Sequence, residues 1–145
     1  MTQLTLDTKI RILKDINLKE FLYSHHFEVK IIDENTMHVV RNTGFPTCLY
    51  SRNERLYFQI DLGSLEDISI RNKELYYKLL DLNTEIQPIS VGIDSTNPEN
   101  ERLVLVENRE FENLNDHELL SIFELFEHAI DKVEIVLSEY IKEDN

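Results

Sequence analysis

The sequence is poor in the residues from which many catalytic and cofactor sites are built. It contains three glycines among 145 residues, too few for the glycine-rich loop of a P-loop or a dinucleotide-binding fingerprint. No serine lies in a G-x-S-x-G nucleophile elbow. The single cysteine, Cys48, excludes an internal disulfide and favours a cytoplasmic protein. We interpret Cys48 as a small buried hydrophobe, with a reactive thiol as the alternative.

Long apolar segments are also missing. No apolar run approaches the ~20 residues of a membrane-spanning helix, and charges interrupt the N-terminal stretch where a signal peptide would need an apolar core. Internal repeats, low-complexity tracts and Pro/Gly/Ser-rich linkers are absent as well. The composition, with 41% hydrophobic and 30% charged residues, is typical of a globular protein. We therefore predict one domain over residues 1–145.

Basic residues are scarce relative to acidic ones: 15 Lys and Arg against 28 Asp and Glu, a net charge of −13. This balance argues against binding to nucleic acid or to an anionic membrane surface. The charge is unevenly distributed, with a net of +1 over residues 1–30 and −7 over residues 115–145. The acidic end could steer a basic partner protein to the chain; the alternative is that it only maintains solubility.

The first half of the chain has the pattern of a helix followed by a meander of strands. Residues 6–25 are predicted to form one helix or two short ones, since residues 17–20 have the form of a capping box. The clearest strand is 56–62, in which every second residue from Leu56 is apolar. Three further strands are predicted before it, at residues 27–31, 37–41 and 46–50.

The second half alternates helices and strands. A helix is predicted over residues 67–82, ending in a left-handed cap at Asn83, and Pro88 prevents its continuation. Strands are predicted at residues 89–93 and 103–106. A long helix is predicted to begin with Asn115 as its N-cap and Glu118 at the third helical position. It has a heptad-like apolar stripe. The stripe is formed by Leu119, Ile122, Phe126, Ala129, Val133, Val136 and Tyr140. A second, partial stripe beside it is formed by Leu120, Phe123, Ile130, Leu137 and Ile141.

No cluster of residues in the sequence is specific for catalysis or for a metal. His25 and His26 are adjacent at a predicted helix end, where a cation suits the helix dipole. Glu124, His128 and Asp131 share a face of the last helix, but a solvated charged face produces the same spacing. Acidic pairs such as residues 33–34 lie in predicted turns rather than in buried sites. We expect no catalytic residue, no metal and no cofactor.

The predicted order of elements, α-β-β-β-β-α-β-β-α, is an α+β fold with an antiparallel sheet. It resembles the type III secretion chaperone-like fold, and the middle of the chain is similar to bacterial YjfI-type or YbjN-like proteins. The residues that carry the resemblance are Arg41-Asn42-Thr43-Gly44-Phe45-Pro46, the strand 56–62, and Leu79-Leu80-Asp81-Leu82-Asn83 with Pro88-Ile89-Ser90-Val91-Gly92-Ile93.

The resemblance implies a non-catalytic, cytoplasmic bacterial protein that holds a segment of another protein and forms a homodimer. Binding would use the first helix and the exposed edge of the sheet. The implied partner-binding residues are Ile12, Leu13, Ile16, Phe21 and Leu22. The implied dimer interface is formed by Tyr76, Tyr77 and Leu80. The alternative function is that of an acidic inhibitor or immunity-type protein that masks a basic enzyme surface.

Overall fold

The computed structural model describes residues 18–41, 44–68, 72–112 and 114–140. Within these ranges it has the predicted α+β architecture, with an additional short helix before the second predicted helix. The strands are β1 (Glu28–Asp33), β2 (Thr36–Val40), β3 (Thr47–Arg52), β4 (Arg55–Ser64), β5 (Ser90–Asp94) and β6 (Arg102–Glu110). The helices are α1 (Leu18–Ser24), α2 (Leu65–Ile68), α3 (Lys73–Leu82) and α4 (Asp116–Ser138). None of the described helices is long and apolar enough to cross a membrane.

The strands form a six-stranded sheet in the order β1-β2-β3-β4-β6-β5. Strands β1 to β4 are an antiparallel meander, and β5 pairs antiparallel with β6. The predicted strands are therefore all present, although their bounds differ by a few residues. The largest difference is in β6, which extends four residues past the apolar run at 103–106.

The chain divides into two compact units. Unit 1 comprises residues up to 60 together with 107–123, and unit 2 comprises residues 61–106 and those from 124 onward. Strands β4 and β6 and helix α4 each contribute residues to both units. The single domain expected from the sequence stays a prediction.

The core of unit 1 includes every second residue of β2, of β3 and of the unit 1 part of β4. Met37, Leu49 and Phe58 are cross-strand neighbours on β2, β3 and β4, and each is at most 1% exposed. Phe123, near the beginning of α4, packs its ring 4.6 Å from that of Phe27 and 5.9 Å from that of Phe58. The alternation predicted for β4 is thus confirmed, because side chains on a strand point to opposite faces in turn.

The core of unit 2 includes one face of α3 and the part of the apolar stripe of α4 from Phe126 onward. Leu75, Leu79 and Leu82, spaced by four and three residues, are the buried side of α3. An ion pair joins the middle of α3 to the residue that follows α4, with Lys78 Nζ 3.0 Å from Glu139 Oε2. Hydrogen bonding to this carboxylate, the largest cause, raises the pKa of Lys78 above its ordinary value.

The predictions for α4 are largely confirmed. Asn115 caps the helix, since its Oδ1 accepts a hydrogen bond from the Glu118 N–H at 2.8 Å. The first five residues of the predicted stripe, from Leu119 to Val133, are buried. Phe123 and Leu137 of the second stripe are also buried, so the apolar face is as broad as the sequence indicates.

The prediction of one helix over residues 67–82 was wrong. The structure has α2 and α3 instead, and α3 begins after Asn72, whose Oδ1 accepts hydrogen bonds from the Glu74 and Leu75 N–H groups at 2.9 and 3.2 Å. An N-cap residue has extended backbone dihedrals, as Asn72 does at φ −88° and ψ 112°, and this separates the two helices. The earlier part of the first predicted helix, residues 6–17, lies outside the described residues.

Replacement of Leu49 by alanine tests the core of unit 1. Leu49 is fully buried between cross-strand neighbours, and a buried Leu→Ala substitution costs about 2–5 kcal/mol. We expect Leu49→Ala to lower the free energy of unfolding by that amount in urea denaturation. The control is Glu134→Ala on the exposed face of α4, which should change stability by less than about 0.5 kcal/mol. Equal effects of the two substitutions would contradict the assigned core.

Candidate functional site

The first terminal strand of the sheet, β1, is exposed along its length. Five of its six residues are exposed and Val29 is half-buried. Ile31 and Ile32 are each 47% exposed, which is unusual for two consecutive large apolar residues. The described part of the chain places no strand on the outer side of β1. An edge of this kind offers backbone N–H and C=O groups to an incoming strand.

The side chains of β1 continue two rows that run across the sheet in unit 1. On the buried face, Ile31 is the cross-strand neighbour of Met37, in the row that continues through Leu49 and Phe58. On the other face, Lys30 is the neighbour of His38. A strand added to β1 would therefore place an apolar side chain beside Ile31 and a polar one beside Lys30.

Helix α1 lies next to this strand. Its Tyr23, which is 50% exposed, donates a hydrogen bond of 3.4 Å from its hydroxyl to the Val29 carbonyl. At the end of the helix, Ser24 donates to the Phe21 carbonyl at 2.7 Å, and His25 Nδ1 lies 3.1 Å from the same oxygen. The side chains at the helix end thus satisfy a terminal carbonyl, the role that the sequence suggests for the histidines.

The structure describes two of the five predicted partner-binding residues. Ile12, Leu13 and Ile16 lie outside the described residues, and their role stays a prediction. Phe21 and Leu22 are 3% and 0% exposed, because they are on the side of α1 that faces the core. They are not part of an exposed surface in this structure.

The exposed residues Tyr23, Ile31 and Ile32 were missed by sequence reasoning. Two consecutive apolar residues, Ile31 and Ile32, interrupt the alternation of apolar and polar residues in β1, and the register also shifts between Ile31 and Asp33. This pair indicates that the end of the strand does not have one buried face and one face in water.

The second terminal strand, β5, is covered near its beginning by a side chain of unit 2. Asn83 Oδ1 accepts a hydrogen bond from the Val91 N–H at 2.7 Å, and its Nδ2 lies 3.4 Å from the Val91 carbonyl oxygen. The amide therefore pairs with Val91 in the manner of a residue on a neighbouring strand. The prediction of a left-handed cap at Asn83 was wrong, since its φ of −56° and ψ of −26° are right-handed.

The predicted dimer residues form the outer side of α3. Tyr77 and Leu80 are 71% and 68% exposed, while Tyr76 is half-buried. Tyr77 and Leu80 lie on the opposite side of the helix from the buried Leu75, Leu79 and Leu82. Tyr76 flanks that buried side. Their exposure makes them available for contact with another chain, and the interface itself stays a prediction.

The titratable residues that the sequence singles out are exposed or half-buried in the described part of the chain. No group of three His, Cys, Asp or Glu side chains among those residues is placed to hold a metal ion, and Glu124, His128 and Asp131 are exposed on α4. Cys48 is half-buried. Burial raises the pKa of its thiol, and the negative charge of Asp33 raises it further, which disfavours the reactive thiolate.

Comparison with known proteins identifies the family. The model of the Tir chaperone protein (CesT) family matches residues 17–135, which include most of the described elements. A comparison of the sequence with curated proteins gives no match.

Three solved structures show the same fold at low sequence identity. A chain of the heterodimeric ExoU–SpcU complex from the type III secretion system of Pseudomonas aeruginosa is 14% identical, with a TM-score of 0.64 over 81% of this chain and 94% of that chain. YbjN, a putative transcription regulator from E. coli, is 11% identical, with a TM-score of 0.56 over 83% and 87%. An uncharacterized protein from Methanothermobacter thermautotrophicus is 14% identical, with a TM-score of 0.62 over 86% and 96%. The predicted resemblance to secretion chaperones and YbjN-like proteins is confirmed.

The bond between Asn83 and β5 can be tested by Asn83→Ala. Its loss leaves the Val91 N–H without this acceptor, and we expect the unfolding free energy to fall by about 1 kcal/mol. Amide hydrogen exchange at Val91 should accelerate. The control is Thr84→Ala, which removes a hydroxyl bonded to the Asp81 carbonyl at 2.9 Å and should leave Val91 exchange unchanged. Unchanged exchange at Val91 in Asn83→Ala would contradict the assigned role.

Proposed function

The chain belongs to the Tir chaperone protein (CesT) family, and from this premise we propose that it holds a segment of a partner protein in extended form along β1. A chaperone family and a chaperone-like fold support a role in binding another protein rather than in catalysis. The single observation that carries the choice of surface is the exposed outer edge of β1, with Ile31 and Ile32 each 47% exposed. The family resemblance also supports the proposal that the protein acts in the bacterial cytoplasm.

The difference between the two terminal strands supports β1 over β5. The amide of Asn83 already bonds both backbone groups of Val91, so an added strand would first have to displace it. At β1 the Tyr23 hydroxyl is 3.4 Å from the Val29 carbonyl, at the long end of the range for a hydrogen bond. An added strand that displaced the Tyr23 hydroxyl and formed a backbone hydrogen bond in its place would therefore cost little free energy.

The residues of β1 also indicate the chemistry of the segment. Glu28 and Lys30 are on one face and carry opposite charges, whereas Ile31 continues the apolar row on the other face. A suitable segment alternates apolar and polar side chains, in register with Ile31 and Lys30. Backbone hydrogen bonds would supply most of the affinity, and the contact with Ile31 would supply specificity.

The proposed edge is tested with the partner that the protein captures in its native host. We expect Ile31→Asp and Ile32→Asp each to weaken binding at least about tenfold, equivalent to about 1.4 kcal/mol, because charges on an edge strand oppose strand addition. Binding is measured by calorimetry with the purified partner segment. Complex formation should also slow amide exchange within β1.

The matched control for these variants is Ile135→Asp on α4. Ile135 is 61% exposed, so this substitution adds the same charge to an exposed apolar position away from β1. The proposal would be contradicted if the Ile31 and Ile32 variants bound the partner with wild-type affinity and if amide hydrogen exchange within β1 did not change on binding. An association rate that falls steeply with salt, together with that result, would instead support the acidic-inhibitor alternative.

We further propose that the protein is a homodimer formed through α3. Tyr77 and Leu80 would be buried on association, and tyrosine is enriched in protein interfaces. Multi-angle light scattering should give twice the chain mass of 17.2 kDa, and Tyr77→Asp combined with Leu80→Asp should give the mass of one chain. Ile135→Asp should remain dimeric. A monomeric wild-type protein would exclude the dimer without affecting the proposal for β1.

A further inference from the structure

We propose that residues 4–10 of this chain, which we call the leading segment, pair with the outer edge of β1 as an antiparallel strand while no partner is bound there. The leading segment precedes α1 and lies outside the described residues. Its sequence is Leu4-Thr5-Leu6-Asp7-Thr8-Lys9-Ile10. Every second residue from Leu4 is apolar except the β-branched Thr8, a pattern typical of a strand. Its role as a competitor of the partner rests on the function proposed for β1.

The outer edge of β1 offers backbone groups at alternate residues. The Tyr23 hydroxyl donates to the Val29 carbonyl, which indicates that the backbone groups of Val29 face away from β2. Alternate residues of an antiparallel strand bond the same neighbour, so the N–H and C=O of Ile31 face the same way. The described part of the chain places no strand against these groups. An exposed edge of this kind pairs readily with a strand held near it.

The charges of β1 and of the leading segment favour one direction of pairing. Glu28 and Lys30 are exposed, two residues apart, on one face of β1. Asp7 and Lys9 are likewise two residues apart. An antiparallel strand that places Lys9 opposite Glu28 also places Asp7 opposite Lys30, and both cross-strand pairs then have opposite charges. A parallel strand with the same residues aligned would place like charges opposite each other.

The same antiparallel register places Leu6 opposite Ile31. Ile31 is the neighbour of Met37 in the buried row of unit 1 and is itself 47% exposed, so Leu6 would extend that row by one side chain. A shift of one residue would move Leu6 to the other face of the sheet. A shift of two residues in either direction would place like charges opposite each other, which is destabilising. The apolar face and the charged face therefore agree on one register.

The chain between the leading segment and α1 is long enough for this placement. Residues 11–17 connect Ile10 to Leu18, and an extended chain of this length spans up to about 26 Å. Helix α1 has seven residues, so it is about 10 Å long, and it lies next to β1. The helix predicted over residues 6–25 would then begin only at its capping box, residues 17–20. A short tether gives the leading segment a local concentration in roughly the millimolar range, which a partner overcomes by binding more tightly.

The test measures amide hydrogen exchange at Val29 and Ile31 in the full chain without a partner, as protection relative to the intrinsic rate of each amide. We expect Asp7→Lys to lower the protection of both groups about fivefold, because it replaces an opposite-charge pair by a like-charge pair. Lys30→Asp should lower the protection by a similar factor. The double variant Asp7→Lys with Lys30→Asp restores opposite charges and should restore the protection of the wild type.

The matched control is Asp15→Lys. It makes the same charge change within residues 11–17, outside the proposed pairing, and should leave the protection of Val29 and Ile31 as in the wild type. The proposal would be overturned by a double variant that does not recover protection, or by an equal effect of Asp15→Lys. Protection that rises with protein concentration would also overturn it, since the edge would then be covered by a second copy.

Calorimetry with the partner segment separates this proposal from the one for β1. Asp7→Lys should bind the partner segment about fivefold more tightly, because a competitor for the edge is weakened. A partner that binds more tightly than the leading segment would slow exchange in β1 further. The exchange measurements use the chain without a partner and so do not depend on the partner-binding surface. Recovered protection in the double variant with no gain in affinity for Asp7→Lys would support the pairing and contradict the function proposed for β1.

Discussion

The terminal strands of the sheet impose the constraint on which the rest of the structure depends, because every backbone N–H and C=O group needs a hydrogen-bond partner. Interior strands satisfy one another, whereas β1 and β5 each have a side with no neighbouring strand among the described residues. At β5 the Asn83 amide bonds the two backbone groups of Val91. At β1 the end of the strand remains exposed on both faces. This difference between the edges makes β1 the candidate binding site.

The candidate site adjoins a closely packed part of unit 1. Ile31 is the last member of a cross-strand row whose other members, Met37, Leu49 and Phe58, are at most 1% exposed. The row that stabilises unit 1 therefore continues into an exposed side chain at its edge. A partner strand would extend an existing hydrophobic surface and would find the backbone of β1 already ordered, which reduces the entropic cost of association.

Local features of the structure could be predicted from the sequence, whereas long-range ones could not. The alternation in β4 and the cap at Asn115 depend on residues a few positions apart, and both were predicted correctly. Asn83 was predicted to end the helix in a left-handed backbone conformation. Its side chain instead bonds Val91, which is eight residues away and across a turn, so no local pattern indicates this bond. The break between α2 and α3 was missed because apolar residues continue at helical spacing through it, while the cap at Asn72 acts over only two or three residues.

The candidate site shows the same division. Phe21 and Leu22 were assigned to partner binding by the family resemblance, which identifies the helix but not which of its sides packs on the core. The exposure of Ile31 and Ile32 depends on β1 being a terminal strand, a property of sheet order that no local pattern carries. Tyr77 and Leu80 are exposed opposite the buried side of α3, and their role in a dimer stays a prediction.

The distribution of charge separates the attraction of a partner from its retention. Along β1, Glu28 and Lys30 carry opposite charges, so retention of a partner would depend on backbone hydrogen bonds and on the contact with Ile31, which salt screens weakly. Helix α4 carries six acidic residues and one basic residue. These charges act over about a Debye length, ~10 Å at 0.1 M salt, and would influence the encounter with a basic partner more than its retention.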